Sequence, residues 1–201
     1  MKTTLYLIRH AKSIGNERNL FYGITDYELC EEGIKQAEDL SIKLSNTNID
    51  KIYSSPLKRC IQTITPTAEK HNLKVNIVEN LKEIDLGSWE NIPVLEINSK
   101  YPELTKQIKE TQYYKGIEGQ EDTKDVAQRV YNEILKIVKN NAGKSIIIAS
   151  HMVALRSFLC KIQNIPFEKT KEKIGDLSNA GITTVVYNND KDTFDVIKIA
   201  N

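Results

Sequence analysis

Three short apolar runs along this chain break off at chemically reactive side chains. Leu5, Tyr6, Leu7 and Ile8 stop at Arg9 and His10, and the stretch Ser145 to Ser150 leads straight into His151. Lys51-Ile-Tyr-Ser-Ser-Pro56 passes through Leu57 and Lys58 to Arg59 at the apparent start of a helix. Short apolar runs bounded by polar residues read as buried strands of a parallel sheet. Ligands of such sheets gather at the carboxyl ends of the strands, so parallel strands would bring all three sets of groups to one edge.

Between these runs the period changes from strand to helix. Ile34, Ala37, Leu40 and Leu44 recur every three or four residues and predict a helix from about Glu31 to Ser45, its stripe facing the core. Leu57, Ile61 and Ile64 predict a second helix, which Pro66 should end or kink. Val75 to Val78 reads as a strand, followed by an acidic loop from Lys82 to Glu90. Residues 91–119 are polar, with weak helical patterns at Val94 to Lys100 and Glu103 to Thr111, and read as an inserted cap at about 91–120. Asp122 can cap a helix striped by Val126, Val130, Ile134 and Val138, which Asn141, Ala142 and Gly143 stop. Beyond His151 a helix carries Val153, Leu155, Leu159 and Ile162. Two strands, Ile182 to Tyr187 and Phe194 to Ile199, close the chain around a turn at Asn188 to Asp192. The alternation predicts an α/β fold, a three-layer α/β/α sandwich with a mostly parallel sheet and a C-terminal antiparallel hairpin.

Composition narrows the class. The 201 residues suit one domain, and 40% hydrophobic with 27% charged residues is ordinary for a globular protein. Twenty-eight basic against twenty-seven acidic residues leave a net charge of +1, so no global field favours nucleic acid or an anionic membrane. Cys30, Cys60 and Cys160 form no C-x-x-C pair, which fits reduced thiols in the cytoplasm. No apolar stretch approaches a membrane span or a signal peptide. Three histidines and three scattered cysteines have no zinc-like spacing, so no metal and no cofactor are expected. A homodimer is compatible with the sequence.

The chemistry follows from the residue types. Taken alone, Arg59 reads as a solvated helix residue, and a histidine after a strand is more often structural than catalytic. Together, Arg9, His10, Arg59 and His151 suit a phosphate, because guanidinium groups bind its oxygens in pairs and an imidazole can attack phosphorus. Phosphoryl transfer asks mainly for alignment and neutralised charge, which two arginines and a second histidine provide without a metal. A carboxyl such as Glu83, its pKa raised in a closed pocket, would protonate the leaving oxygen.

In four ordered segments the chain resembles the histidine phosphatase superfamily, the branch that includes cofactor-dependent phosphoglycerate mutases and small-molecule phosphatases. The family's Arg-His-Gly segment is matched by Arg9, His10, Ala11, Ser13 and Asn16, and its Ser-Ser-x-x-x-Arg segment by Ser54, Ser55 and Arg59. Its acid segment is matched by Glu83, Gly87, Trp89 and Glu90, and its closing Ser-His by Ser150 and His151. The resemblance implies that His10 becomes phosphorylated, that Arg9, Arg59 and His151 form the phosphate pocket, and that Glu83 donates the proton. It adds Ser13 and Asn16 as outer phosphate contacts, Met152 as a residue that shapes the substrate side, and Glu121 at the pocket edge. Ala11 and Met152 stand where the family usually has glycine. At position 11 this calls for attention wherever φ is positive.

Three functions are weighed. A metal-independent phosphomonoesterase, with a phosphohistidine on His10, leads because the region Asn91 to Gln120 is short and leaves water access. A cofactor-dependent phosphoglycerate mutase is the alternative. A non-catalytic phosphate-binding module is the third, supported only by Ala11 and Met152.

Overall fold

The computed structural model describes residues 1–200. Along the chain come β1 (Lys2–Arg9), α1 (Ile14–Glu17), β2 (Leu20–Phe21), α2 (Glu31–Leu44), β3 (Lys51–Ser54), α3 (Lys58–Lys70) and β4 (Val75–Ile77). The second half holds β5 (Ile92–Pro93), α4 (Val94–Lys100), α5 (Pro102–Thr111), α6 (Thr123–Lys139), β6 (Ser145–Ser150), α7 (Met152–Ile162), α8 (Thr170–Lys173), β7 (Ile182–Asn188) and β8 (Thr193–Lys198).

Six strands form one mixed sheet in the order β4-β3-β6-β1-β7-β8, and the pairs β1 with β6, β3 with β6 and β3 with β4 are parallel. The expected C-terminal hairpin is present as antiparallel β7 and β8, and β7 also runs antiparallel to β1. Register decides where the chemistry meets. Arg9 lies opposite Ser150 and Ser54 opposite Ala149, so His10, Ser55 and His151 leave the sheet at one level.

Side chains on successive strand residues point to opposite faces, and the core follows that alternation. Leu5, Leu7, Ile146 and Ile148 pack with α6 and α7, whereas Ile8, Ile52, Ile147 and Ala149 pack with α2 and α3. These strands are apolar on both faces because both faces are covered. The two helices read weakly in residues 91–120 are α4 and α5, and β5 joins β2 in a separate two-stranded ribbon.

One local expectation fails and a second is narrowed. Ile34 is not core: it is 51% exposed, and the buried position beside it is Gly33, where a Cβ would stand 1.9 Å from the Lys12 carbonyl oxygen. Only glycine lets α2 approach the chain that close. Pro66 does not end α3, which runs on to Lys70. Thr63 and Thr65 hydroxyls donate to the Arg59 and Ile61 carbonyls in the preceding turns. Among the described residues no helix is long and apolar enough to cross a membrane.

Candidate active site

His10 emerges from β1 into a buried position, 4% exposed. Its Nδ1 lies 2.8 Å from the Ala11 carbonyl oxygen, which can only accept, so Nδ1 carries the proton and Nε2 keeps its lone pair. Burial first, then the Arg59 and Arg9 charges, hold the imidazole well below the usual histidine range. A neutral ring with a free Nε2 is a nucleophile. The backbone around it is fixed by the Asn179 amide, which donates to the His10 carbonyl at 2.9 Å, and by Thr63 Oγ1, which accepts from Ala11 N–H at 2.8 Å. Ala11 is not among the residues with positive φ, so alanine sits there without strain.

Arg59 is fully buried, which corrects the solvated-helix reading. Its Nη1 and Nη2 donate to the Thr25 and Gly23 carbonyls at 2.8 and 2.5 Å, and its Nε donates to His151 Nδ1 at 3.2 Å. One N–H on each terminal nitrogen remains for a ligand. The guanidinium also lies over the Tyr22 ring at 5.0 Å. Loop 23–25, which Arg59 grips, is held from its other side by Glu90, whose carboxylate accepts from the Gly23, Ile24 and Thr25 N–H groups at 2.8–3.1 Å. Gly23 is obligatory there, since a Cβ would stand 1.7 Å from the Ile84 carbonyl oxygen.

Arg9 donates through Nη1 to the Leu177 carbonyl at 2.6 Å. Its Nε is buried with no hydrogen-bond partner. A buried charged donor without a partner is costly, and an anion in the pocket would supply one. Burial and the neighbouring Arg156 both lower the Arg9 pKa.

Glu83 comes from the loop after β4 and reaches the start of α7. Its Oε1 accepts from Ile84 and Ala154 N–H at 3.0 and 2.9 Å, and Oε2 accepts from Val153 N–H at 3.0 Å. The N-cap residue of α7 is His151, whose own side chain makes no capping bond, so Glu83 does the capping from outside the helix. Oε2, with one backbone donor against two on Oε1, has the freer lone pair.

One cavity of ≈ 180 Å³ gathers Arg9, His10, Asn16, Arg59, Glu83 and Met152. Three expected site residues lie outside its lining. His151 is fully buried with both ring nitrogens engaged: Nδ1 accepts from Arg59, and Nε2 sits 2.7 Å from Ser55 Oγ. Its ring centroid is 5.3 Å from that of His10, close enough to support the cavity wall from behind. Ser13 caps α1 in a reciprocal box with Asn16 and bonds the Tyr22 hydroxyl at 2.6 Å. Glu121 pairs with Arg129 at 2.7 Å. That guanidinium uses all five of its donors, on both Glu121 oxygens and on the Asn80, Lys82 and Glu83 carbonyls. Glu121 therefore bears on the pocket only through the loop that carries Glu83.

Tyr22 and Arg156, which sequence reasoning passed over, and Tyr114 also bear on the pocket. Tyr22 and Tyr114 line it. Arg156, 1% exposed, lies behind it with Nη1 on Gln112 Oε1 at 2.7 Å, an ion pair to Asp176 and an unpartnered Nε. One signal was available: Arg156 is the only charge among the buried positions of an otherwise apolar helix.

A mixed α/β sheet that brings two strand-end histidines, a buried and a half-buried arginine and a helix-anchored glutamate together defines a phosphate-handling class of protein. The model of the histidine phosphatase superfamily (branch 1) matches residues 5–200, and the chain belongs to that superfamily. Phosphoserine phosphatase 1 of Hydrogenobacter thermophilus is 34% identical over 82% of this chain and 78% of its own length. A 2,3-bisphosphoglycerate-dependent phosphoglycerate mutase of Cytophaga hutchinsonii is 28% identical over 80% of this chain and 78% of its own. Among solved structures, a mycobacterial glucosyl-3-phosphoglycerate phosphatase shares the fold at TM-score 0.89 and 21% identity, covering 100% of this chain and 99% of that one.

Proposed function

We propose that the protein hydrolyses small phosphomonoesters, without a metal, through a phosphohistidine on His10. The observation that carries this reading is the His10 tautomer: Nδ1–H is spent on the Ala11 carbonyl, which leaves Nε2 with its lone pair on a ring that lines one cavity with Arg9 and Arg59. His10 Nε2 attacks phosphorus, and the phosphorus–oxygen bond to the alcohol breaks. Glu83 Oε2 gives the departing oxygen its proton. Water then attacks the phosphohistidine while Glu83 takes a proton back, releasing inorganic phosphate and the free ring. Arg9 and Arg59 carry the charge on the equatorial oxygens, the role a metal plays in other phosphoryl transfers. Met152, at the first turn of α7, and Asn16 would meet the substrate, and His151 would hold Arg59 in place.

Identity to a phosphoserine phosphatase over most of the chain supports hydrolysis, while mutase relatives keep transfer to a second hydroxyl as the competing outcome. Three free, buried cysteines support a reducing compartment, the cytoplasm. The test is labelling with a phosphorylated substrate in EDTA. An acid-labile phosphoryl group should appear on His10 and vanish in His10→Ala, with phosphate released. Label elsewhere, or turnover that needs an added metal, would sink the mechanism. Exchange between 3-phosphoglycerate and its bisphosphate, faster than phosphate release, would mark a mutase.

A further inference from the structure

The two arginines of the reacting cavity have unequal footings. Arg59 is gripped at three points, whereas the Arg9 guanidinium makes one hydrogen bond, from Nη1 to the Leu177 carbonyl. Its aim is therefore set by the loop that carries Leu177, residues 174–181. That loop also binds the chain at the nucleophile: the Asn179 amide donates to the His10 carbonyl at 2.9 Å, and Ala180 N–H donates to the Arg9 carbonyl at 3.0 Å. Its backbone passes through the left-handed region at Gly175 (φ 75°) and at Ala180 (φ 53°). Alanine is uncommon there, and such a residue persists where its surroundings over-determine it.

Arg156 holds this loop from behind. Its Nη2 is ion-paired with Asp176, the residue before Leu177, and its Nη1 donates to Gln112 Oε1 at 2.7 Å. Gln112 is the left-handed residue (φ 59°) that closes α5. One guanidinium thus joins α7, the loop that aims Arg9 and the end of the cap. Arg156 lies one helical turn beyond Met152, which lines the reacting cavity.

Stability does not account for this side chain. Arg156 is buried among Val153, Leu155, Phe158 and Leu159 of its own helix, and its Nε has no partner. Buried ion pairs are often matched or bettered by apolar residues of similar volume. Its charge also acts on Arg9, whose pKa it lowers, a repulsion that an anion bound to Arg9 would offset.

We propose that Arg156 is a positioning residue for phosphoryl transfer: through Asp176 it fixes the loop that aims the Arg9 guanidinium at the phosphate oxygens, and through Gln112 it sets the cap against that loop. It acts through Arg9 and needs no contact with substrate. This rests on the hydrolase reading above and adds to it the element that orients one of the two phosphate-binding arginines.

A double-mutant cycle on phosphate affinity tests it, with inorganic phosphate as the probe and its dissociation constant read by phosphorus NMR. Arg156→Met and Asp176→Ala are each made in the wild type and in Arg9→Lys, with circular dichroism and thermal melting to check folding. Arg9→Lys keeps a cation, so binding stays measurable, but removes the planar fork whose aim the loop sets. Arg156→Met should weaken phosphate binding about tenfold in the wild type and less than about twofold in Arg9→Lys, a non-additivity that a merely structural role would not produce. Asp176→Ala changes a side chain that is 74% exposed, so it keeps the test open if Arg156→Met does not fold. It should show the same pattern at about threefold. Arg156→Lys keeps the charge and loses the two-ended grip, and it should bind phosphate nearly as weakly as Arg156→Met. Losses that are as large in Arg9→Lys as in the wild type, or full affinity in Arg156→Lys, would overturn the proposal and leave the hydrolase reading intact. A wild type that binds no phosphate would overturn both.

Discussion

At the edge of the sheet each reactive side chain is tied in place by backbone or by a buried neighbour, whereas across Tyr114 the amines on α5 hold nothing. His10 is fixed by Ala11, Arg59 by Gly23, Thr25 and His151, and Glu83 by three backbone N–H groups. Lys106 and Lys109 stand exposed with no partner. Phosphoryl transfer needs aligned atoms and charge already in place, so rigidity belongs at the phosphate end. The difference teaches that substitutions at the two places should act differently: loss of chemistry at the sheet edge, and no loss of chemistry at the exposed amines of α5.

The sharpest way to break the comparison is Arg59→Lys. Lysine keeps the charge but loses the fork that binds two loop carbonyls and His151 and, in the proposed mechanism, phosphate. Turnover should fall about 1,000-fold, in the range of a lost phosphoryl-clamping arginine. Because Arg59 is buried, the melting temperature should fall as well, and inorganic phosphate should no longer raise it. A variant that melts normally and is still stabilised by phosphate would show that the sheet edge is less rigid than its hydrogen bonds imply.

Glu83→Gln should cost about 100-fold for alkyl phosphates and far less for an activated aryl phosphate, whose leaving oxygen needs little protonation. Single-turnover kinetics isolate the phosphorylation step, since the same residue acts again in hydrolysis of the intermediate. Equal slowing of both substrates would remove Glu83 from the acid role. Arg129→Lys should follow the same pattern more weakly, about tenfold on alkyl phosphates. Arg129 acts only through the Asn80, Lys82 and Glu83 carbonyls that it clamps. An equal effect on alkyl and aryl esters would instead mark the clamp as purely structural.

How far the sequence reached depended on distance along the chain. The sheet was legible because β1, β3 and β6 are continuous apolar runs, which few other structures can accommodate. The convergence of Arg9, His10 and Arg59 on one cavity followed from those strands being parallel. What escaped was every role set by long-range contact. Nothing near Glu121 announces that Arg129 will claim it and carry the pull to Glu83, and nothing near Ser13 announces Tyr22. Ile34 fits the apolar stripe of α2 as well as Ala37 does, yet Gly33 takes the tight position against Lys12, which the helical period cannot show. His151 matched its motif, but its two ring nitrogens were taken by residues about 90 positions earlier.

The smallest expected effect concerns stability against pH, and it separates the buried histidines from the exposed amines. Burial and the Arg59 charge hold both His10 and His151 well below the usual pKa of 6.5. The unfolded chain takes up protons on these rings near pH 6.5, while the folded protein does not. Stability is therefore at its full value above about pH 6.5 and declines as the pH falls below it toward the depressed folded values. Urea denaturation at pH 7.5 and pH 5.5 measures the loss, which should amount to about 2–3 kcal/mol for the pair. His151→Asn should reduce that difference, even if the variant is less stable at both pH values, because one titrating ring is gone. Lys106→Gln/Lys109→Gln should leave it untouched, since neither amine contacts either ring. A pH dependence unchanged in His151→Asn would mean that the ring takes up its proton in the folded protein too, and that Arg59 does not hold it neutral.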